Sequence, residues 1–161
     1  MTMFSVPPRR AALITAMLAT LLAGLAGSQG VRPTALPADH AHLKAAPTTV
    51  TLTFPATVDS RAATFKVYRF PLSSMMAGRR PMTGVQMDVF AAAQARRMLS
   101  LTTDTADRMD TGVIGKLSSP NRVVIGLKPN LTPGVYVTAW RVTGPGQPPK
   151  TGFVHFHSAT F

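Results

Sequence analysis

The strongest constraint in this chain is a strict two-residue alternation. In PTTVTLTF (47–54), Val50, Leu52 and Phe54 fall on one side and Thr49, Thr51 and Thr53 on the other, which is the period of a pleated strand with one buried face. A helix would scatter the same residues around its axis. The pattern returns in TFKVYRF (64–70), with Phe65 and Val67 inward and Lys66 outward, and in NRVVIGL (121–127), with Val123, Ile125 and Leu127 inward. It returns again in GVYVTAWRV (134–142), with Tyr136, Trp140 and Val142 on one face, and in GFVHFH (152–157), where Val154 and Phe156 oppose Phe153, His155 and His157.

Short strands rich in β-branched and aromatic residues, parted by Pro- and Gly-bearing turns, predict an all-β chain: an immunoglobulin-like Greek-key β-sandwich of about seven strands. LTPGVY (131–136) adds a specific cue. A Pro-Gly turn leading into a tyrosine matches the corner at which such sandwiches tie a loop down through the tyrosine hydroxyl. One segment breaks the period. DVFAAAQARRMLSL (88–101) is rich in Ala, Gln, Arg, Met and Leu and reads as a short helix or an ill-formed strand pair.

A chain of 161 residues has room for one core, since a domain takes roughly 100 to 150 residues. The first thirty residues carry Arg9 and Arg10, an apolar run from Ala11 to Ala26, and then small residues. That order is the layout of a secretory signal helix. The run is short for a membrane span, which takes about 20 apolar residues. The expected organisation is a signal peptide over 1–28, an extended segment over 29–46 with Pro33 and Pro37, and the sandwich domain over 47–161. Export to the periplasm or cell envelope follows, with an N-terminal membrane anchor as the alternative.

The formal net charge is +11, with six acidic residues, all aspartate. Such a surface favours anionic partners such as an envelope surface. Export and the scattered placement of the basic residues argue against nucleic acid. With no cysteine, an exported chain has no disulfide and any metal must be held by His, Met, Asp or a free amine. No serine sits in a nucleophile-elbow context and no glutamate is present for paired acid–base work, so no enzyme is expected.

Several pieces together resemble the CopC-like copper-resistance domain, a small exported β-sandwich. They are HAHLK (40–44), TTVTLTF (48–54), the stretch FPLSSMMAGRRPMTGVQM (70–87), and LTPGVYVTAWRVTGPGQPPKTGFVHF (131–156). The resemblance implies a copper-binding or copper-delivery module, a monomer that passes its ion to a membrane transporter or other envelope protein. It also implies a copper(II) site built from an N-terminal histidine, here His40, and an aspartate and a histidine in the loop after the Trp-Arg strand. This sequence departs from that pattern, because the loop positions hold Gly146 and Pro148. The acidic Asp39 also makes cleavage directly before His40 unfavourable. The family's copper(II) site is therefore expected to be absent or much weakened.

Two other donor sets stand out. Met75, Met76, Met82 and Met87 lie within thirteen residues, and thioether sulfur suits copper(I). These four are the expected metal site, with His40 and His42 as assisting imidazoles; the same methionines could equally pack a loop onto the sandwich. Copper(I) is accordingly favoured over copper(II). His155 and His157 share a strand face about 7 Å apart and could chelate. The alternative keeps the fold without the metal, as an envelope interaction module.

Overall fold

The computed structural model describes residues 32–59, 62–71, 73, 76–77, 80–115, 121–144 and 146–158, with backbone alone at 76–77. Among the described residues ten strands and one helix follow in the order β1 (Thr34–Leu36), β2 (His42–Leu43), β3 (Thr49–Thr53), β4 (Thr64–Phe70), β5 (Met76–Ala77), β6 (Arg80–Pro81), α1 (Gly84–Ser100), β7 (Asp110–Val113), β8 (Arg122–Leu127), β9 (Gly134–Val142) and β10 (Lys150–Ser158). One sheet runs β1-β3-β8-β7, a second runs β2-β10-β9-β4, and β5 and β6 pair by themselves. The chain changes between the large sheets after β1, β2, β3, β4 and β8, so that strands neighbouring in sequence are split between the two sheets as in a Greek-key sandwich. Each of the two large sheets has four strands, and the N-terminal segment supplies an edge strand to both, which the sequence reading did not include.

The alternating residues do what their period demands. Val50, Leu52, Phe54, Phe65, Val67, Val123, Ile125, Leu127, Tyr136, Trp140, Val154 and Phe156 form one buried cluster between the sheets. The Tyr136 ring stacks on Phe156 at 5.2 Å, and its hydroxyl donates to the Thr132 carbonyl at 2.6 Å, which is the expected tyrosine corner. Gly152 pairs with Trp140 across β9 and β10, and a Cβ there would come within 2.5 Å of the indole. Any side chain at 152 would require the indole or the strand to shift.

The segment 88–101 is a helix, and a longer one than its composition suggests. Thr83 caps it: its hydroxyl accepts from the Gln86 backbone N–H while the Gln86 side chain accepts from the Thr83 N–H, a reciprocal capping box. Met87, Ala91, Ala95, Met98 and Leu99 face Tyr68, Val135, Val137 and Ala139 on the outer side of the second sheet. The molecule thus has three layers, two sheets and a helix.

That third layer corrects the reading of Lys66. Its side chain leaves the inter-sheet core, as the alternation requires, yet it is 5% exposed. Its ammonium donates to the carbonyls of Met98 at 2.9 Å and Leu101 at 2.6 Å and to the Asp104 carboxylate. A cation at the helix C-terminus meets the carbonyls that have no partner within the helix. Tyr68 also donates its hydroxyl to Asp104. Burial raises the Asp104 carboxyl's proton affinity, but the bonds from Lys66 and Tyr68 outweigh it and the pKa is lowered.

Candidate metal centre

The N-terminal segment is a strap across the open edge of the second sheet. Pro33 and Pro37 are buried, β1 pairs antiparallel with β3, and β2 pairs parallel with β10 in the register His42 with His157. Between the two strands the strap is tied to β10 by three bonds. The His155 N–H donates to Asp39 Oδ1 at 3.0 Å, the His40 N–H to the His155 carbonyl at 2.7 Å, and the His157 N–H to the Ala41 carbonyl at 2.7 Å. His40 itself lies in the left-handed region, with φ 63°, a conformation that persists in a non-glycine residue where its surroundings fix it.

This strap brings all four histidines of the chain together. The rings of His40 and His155 meet edge to face at 4.4 Å, those of His42 and His157 stack at 4.3 Å, and His155 lies 5.8 Å from His157. The partners run across strands. His155 and His157 share one face of β10, as their two-residue spacing requires, but each is nearer a strap histidine than its neighbour on the strand.

Two carboxylates complete the group. His40 Nε2 lies 3.6 Å from Asp39 Oδ2 and 3.4 Å from Asp88 Oδ1. His155 Nδ1 lies 3.8 Å from Asp39 Oδ1 and 3.9 Å from Asp88 Oδ1. The donor atoms of Asp39, His40 and His155 all fall within 4.8 Å of one another. Ligands that share an ion at 2.0–2.2 Å stand about 2.9 to 4.1 Å apart. The four histidine–carboxylate separations, 3.4–3.9 Å, lie within that range, and no hydrogen bond joins these side chains among the described residues.

His155 carries the most information. It is 1% exposed, and its Nδ1 has no hydrogen-bond partner. A buried polar atom without a partner costs about 1–3 kcal/mol, so a lone pair left facing two carboxylates fits a metal ligand. Burial, and then the neighbouring His40, lower the His155 pKa. Burial and then His42 bring His157 down to about 4. Both imidazoles are neutral at pH 7, the form that coordinates metal.

The methionines are placed differently. Met87 is buried in the cluster beneath α1, and Met82 packs against the same cluster. Met75 and the side chain of Met76 lie outside the described residues, as does the expected signal segment over 1–28. Among the described residues no helix is long and apolar enough to cross a membrane. Asp39 and Asp88 were not anticipated as donors. The one signal for Asp39 was its position beside His40; Asp88 had none, because only the packing of α1 sets it over β10.

Comparison with solved structures finds the same architecture in several chains, CopC and PcoC proteins among them. CopC from Methylosinus trichosporium OB3b superposes with a TM-score of 0.51 at 16% identity, over 81% of this chain and 94% of that one. PcoC from Escherichia coli, a methionine rich copper resistance protein, superposes with a TM-score of 0.52 at 18% identity, over 80% of this chain and 99% of that one. This is the CopC-like fold. The likeness is one of fold: no family model matches the sequence, and no curated protein does. Within the CopC-like sandwich, the loop between β9 and β10 holds Gly146 and Pro148 and brings no such donor. The donors come instead from the strap, β10 and the first turns of α1.

Proposed function

We propose that this domain captures copper at Asp39, His40, Asp88 and His155 and hands it on within the cell envelope. The observation that carries the reading is the orphaned, buried Nδ1 of His155, held 3.8 and 3.9 Å from two carboxylate oxygens. The CopC-like fold supports copper as the cargo. So does the donor set, because among divalent first-row ions copper(II) binds such nitrogen and oxygen sites most strongly. Imidazole and carboxylate together suit copper(II) rather than copper(I).

The residues divide the work by exposure. His40 and Asp88 are about half exposed, at 46% and 44%, whereas His155 is closed off. An incoming ion meets His40 and Asp88 first and gains Asp39 and His155 as it loses water. Release reverses that order: a partner's ligands displace the two exposed donors before the buried one lets go. The basic, exported surface favours an anionic envelope partner, including a membrane transporter. Capture of copper(I) by methionine rests on Met75 and Met76, since Met82 and Met87 are engaged in packing.

Titration of the purified protein with copper(II) against a competing chelator tests the reading. His155→Gln should weaken binding about 100-fold or more, given that even outer partners of metal ligands are worth 10–100-fold. Equal affinity in the two proteins overturns it. A copper(I) titration of the Met75→Leu, Met76→Leu protein checks the methionine route separately.

A further inference from the structure

The four imidazoles are arranged as two rungs between the strap and β10. The upper rung is His40 with His155, the site described above. The lower is His42 with His157, which occupy opposed positions in the parallel register of β2 and β10. We propose that His42 and His157 form a second, separate position for a transition-metal ion, held by neutral nitrogen alone, so that the domain carries two ions side by side. The inference rests on the capture site proposed above and adds a neighbour to it.

Three observations carry it. Residues opposed on paired strands stand about 5 Å apart, whereas residues two apart on one strand stand about 7 Å apart. Two imidazole nitrogens sharing an ion at about 2.0–2.1 Å come within about 4.1 Å of each other. The pairing across the strands therefore suits chelation better than the pairing along β10, and the ring separations follow the same order: 4.3 Å for His42 with His157 and 5.8 Å for His155 with His157. The rings of His42 and His157 lie only 22° from parallel, so rotation of either ring in its own plane can bring nitrogens of both to one side of the stack, where they can meet one ion.

The surroundings of the two rungs differ in a way that matters chemically. Asp39 and Asp88 face the upper rung; among the described residues no ion pair or side-chain hydrogen bond engages the rings of the lower one. His42 is exposed and His157 half-buried, which leaves the lower rung open to solvent or to a partner's ligands. An ion there lacks anionic donors and is held less tightly. It is suited to passing an ion to or from the upper rung.

Equilibrium dialysis of the purified protein against copper(II), buffered with glycine to suppress weak surface binding, tests the proposal. The expected stoichiometry is two ions per chain for the wild type. The His42→Gln, His157→Gln protein should hold one, tightly, and the His40→Gln, His155→Gln protein one, weakly. The fourfold variant should hold none. Near-ultraviolet circular dichroism of Trp140 confirms that each variant keeps its core, and His42→Gln alone, at an exposed position, provides a variant with no folding cost.

One ion in the wild type, unchanged by His42→Gln, His157→Gln, overturns the second position and leaves the capture site standing. One ion lost on that same substitution means a single site shared by all four rings, and overturns it too. No ion in the wild type removes both readings.

Discussion

Helix α1 covers two polar clusters on the same face of the same sheet, and they differ in one respect. At its C-terminal end Lys66, Tyr68 and Asp104 are closed: the ammonium has three acceptors, and the carboxylate accepts from both neighbours. At its N-terminal end the nitrogens of His40 and His155 each stand 3.4–3.9 Å from oxygens of Asp39 and Asp88, and a buried nitrogen has no partner. A satisfied buried network holds an element in place. A network whose members all face one gap, at ligand spacing, is built for something that enters the gap.

Breaking the closed cluster should have the largest effect and should spare metal binding. Lys66→Met leaves Asp104 buried without its cation, which costs about 3–5 kcal/mol in urea unfolding. Copper(II) affinity of the folded fraction should stay within threefold of wild type. A collapse of affinity with an intact Trp140 signal would show that the two clusters are coupled.

The open cluster should respond to metal instead. Copper(II) at 100 times its dissociation constant should stabilise the wild type by about 2.7 kcal/mol, and a 100-fold weaker site in His155→Gln should cut that gain to about 0.4 kcal/mol. In the absence of metal the same substitution should change stability by about 1 kcal/mol or less, because it removes no hydrogen bond of the ring. A large loss of metal-free stability would make His155 a structural residue.

Acid separates the clusters next. The unfolded chain takes up protons on its histidines near pH 6.5, whereas folded His157 does so only at about 4 and folded His155 below its usual value. The unfolded state binds more protons in this window, so the metal-free fold should lose stability as pH falls from about 6.5 towards 4. Stability measured by denaturant at pH 7 and pH 5 checks it, and His42→Gln, His157→Gln should flatten the slope. Asp104, its pKa lowered, keeps its contribution in that range and loses it only in stronger acid.

The smallest effect belongs to Thr83, whose cap orders the turn that presents Asp88. Thr83→Ala should cost about 1 kcal/mol and weaken copper(II) binding less than His155→Gln does. If affinity is untouched, Asp88 is not a donor.

Sequence alone decided the sandwich. A two-residue period is a local property, and it assigned the inward faces of β3, β4, β8, β9 and β10 without knowledge of their partners. The tyrosine corner was legible for the same reason, since the turn and its tyrosine are neighbours in the chain. The helix was legible as a tendency over 88–101, while its start at Gly84, behind the Thr83 cap, came from the structure.

The site was half legible. His40, His42, His155 and His157 were visible as donors, but their pairing depends on the register of β2 against β10, a contact between residues more than a hundred positions apart. The strap could not be read because VRPTALPADHAHLKAA has no period. Its place follows from two sheet edges that exist only once the sandwich has formed. Lys66 was read as outward because alternation tells inside from outside of a sheet and is silent on what lies beyond it. Local periodicity determined which residues turn away from the core. Only the tertiary structure, by laying a strap and a helix on that outer face, decided which become buried ties and which stand open to an ion.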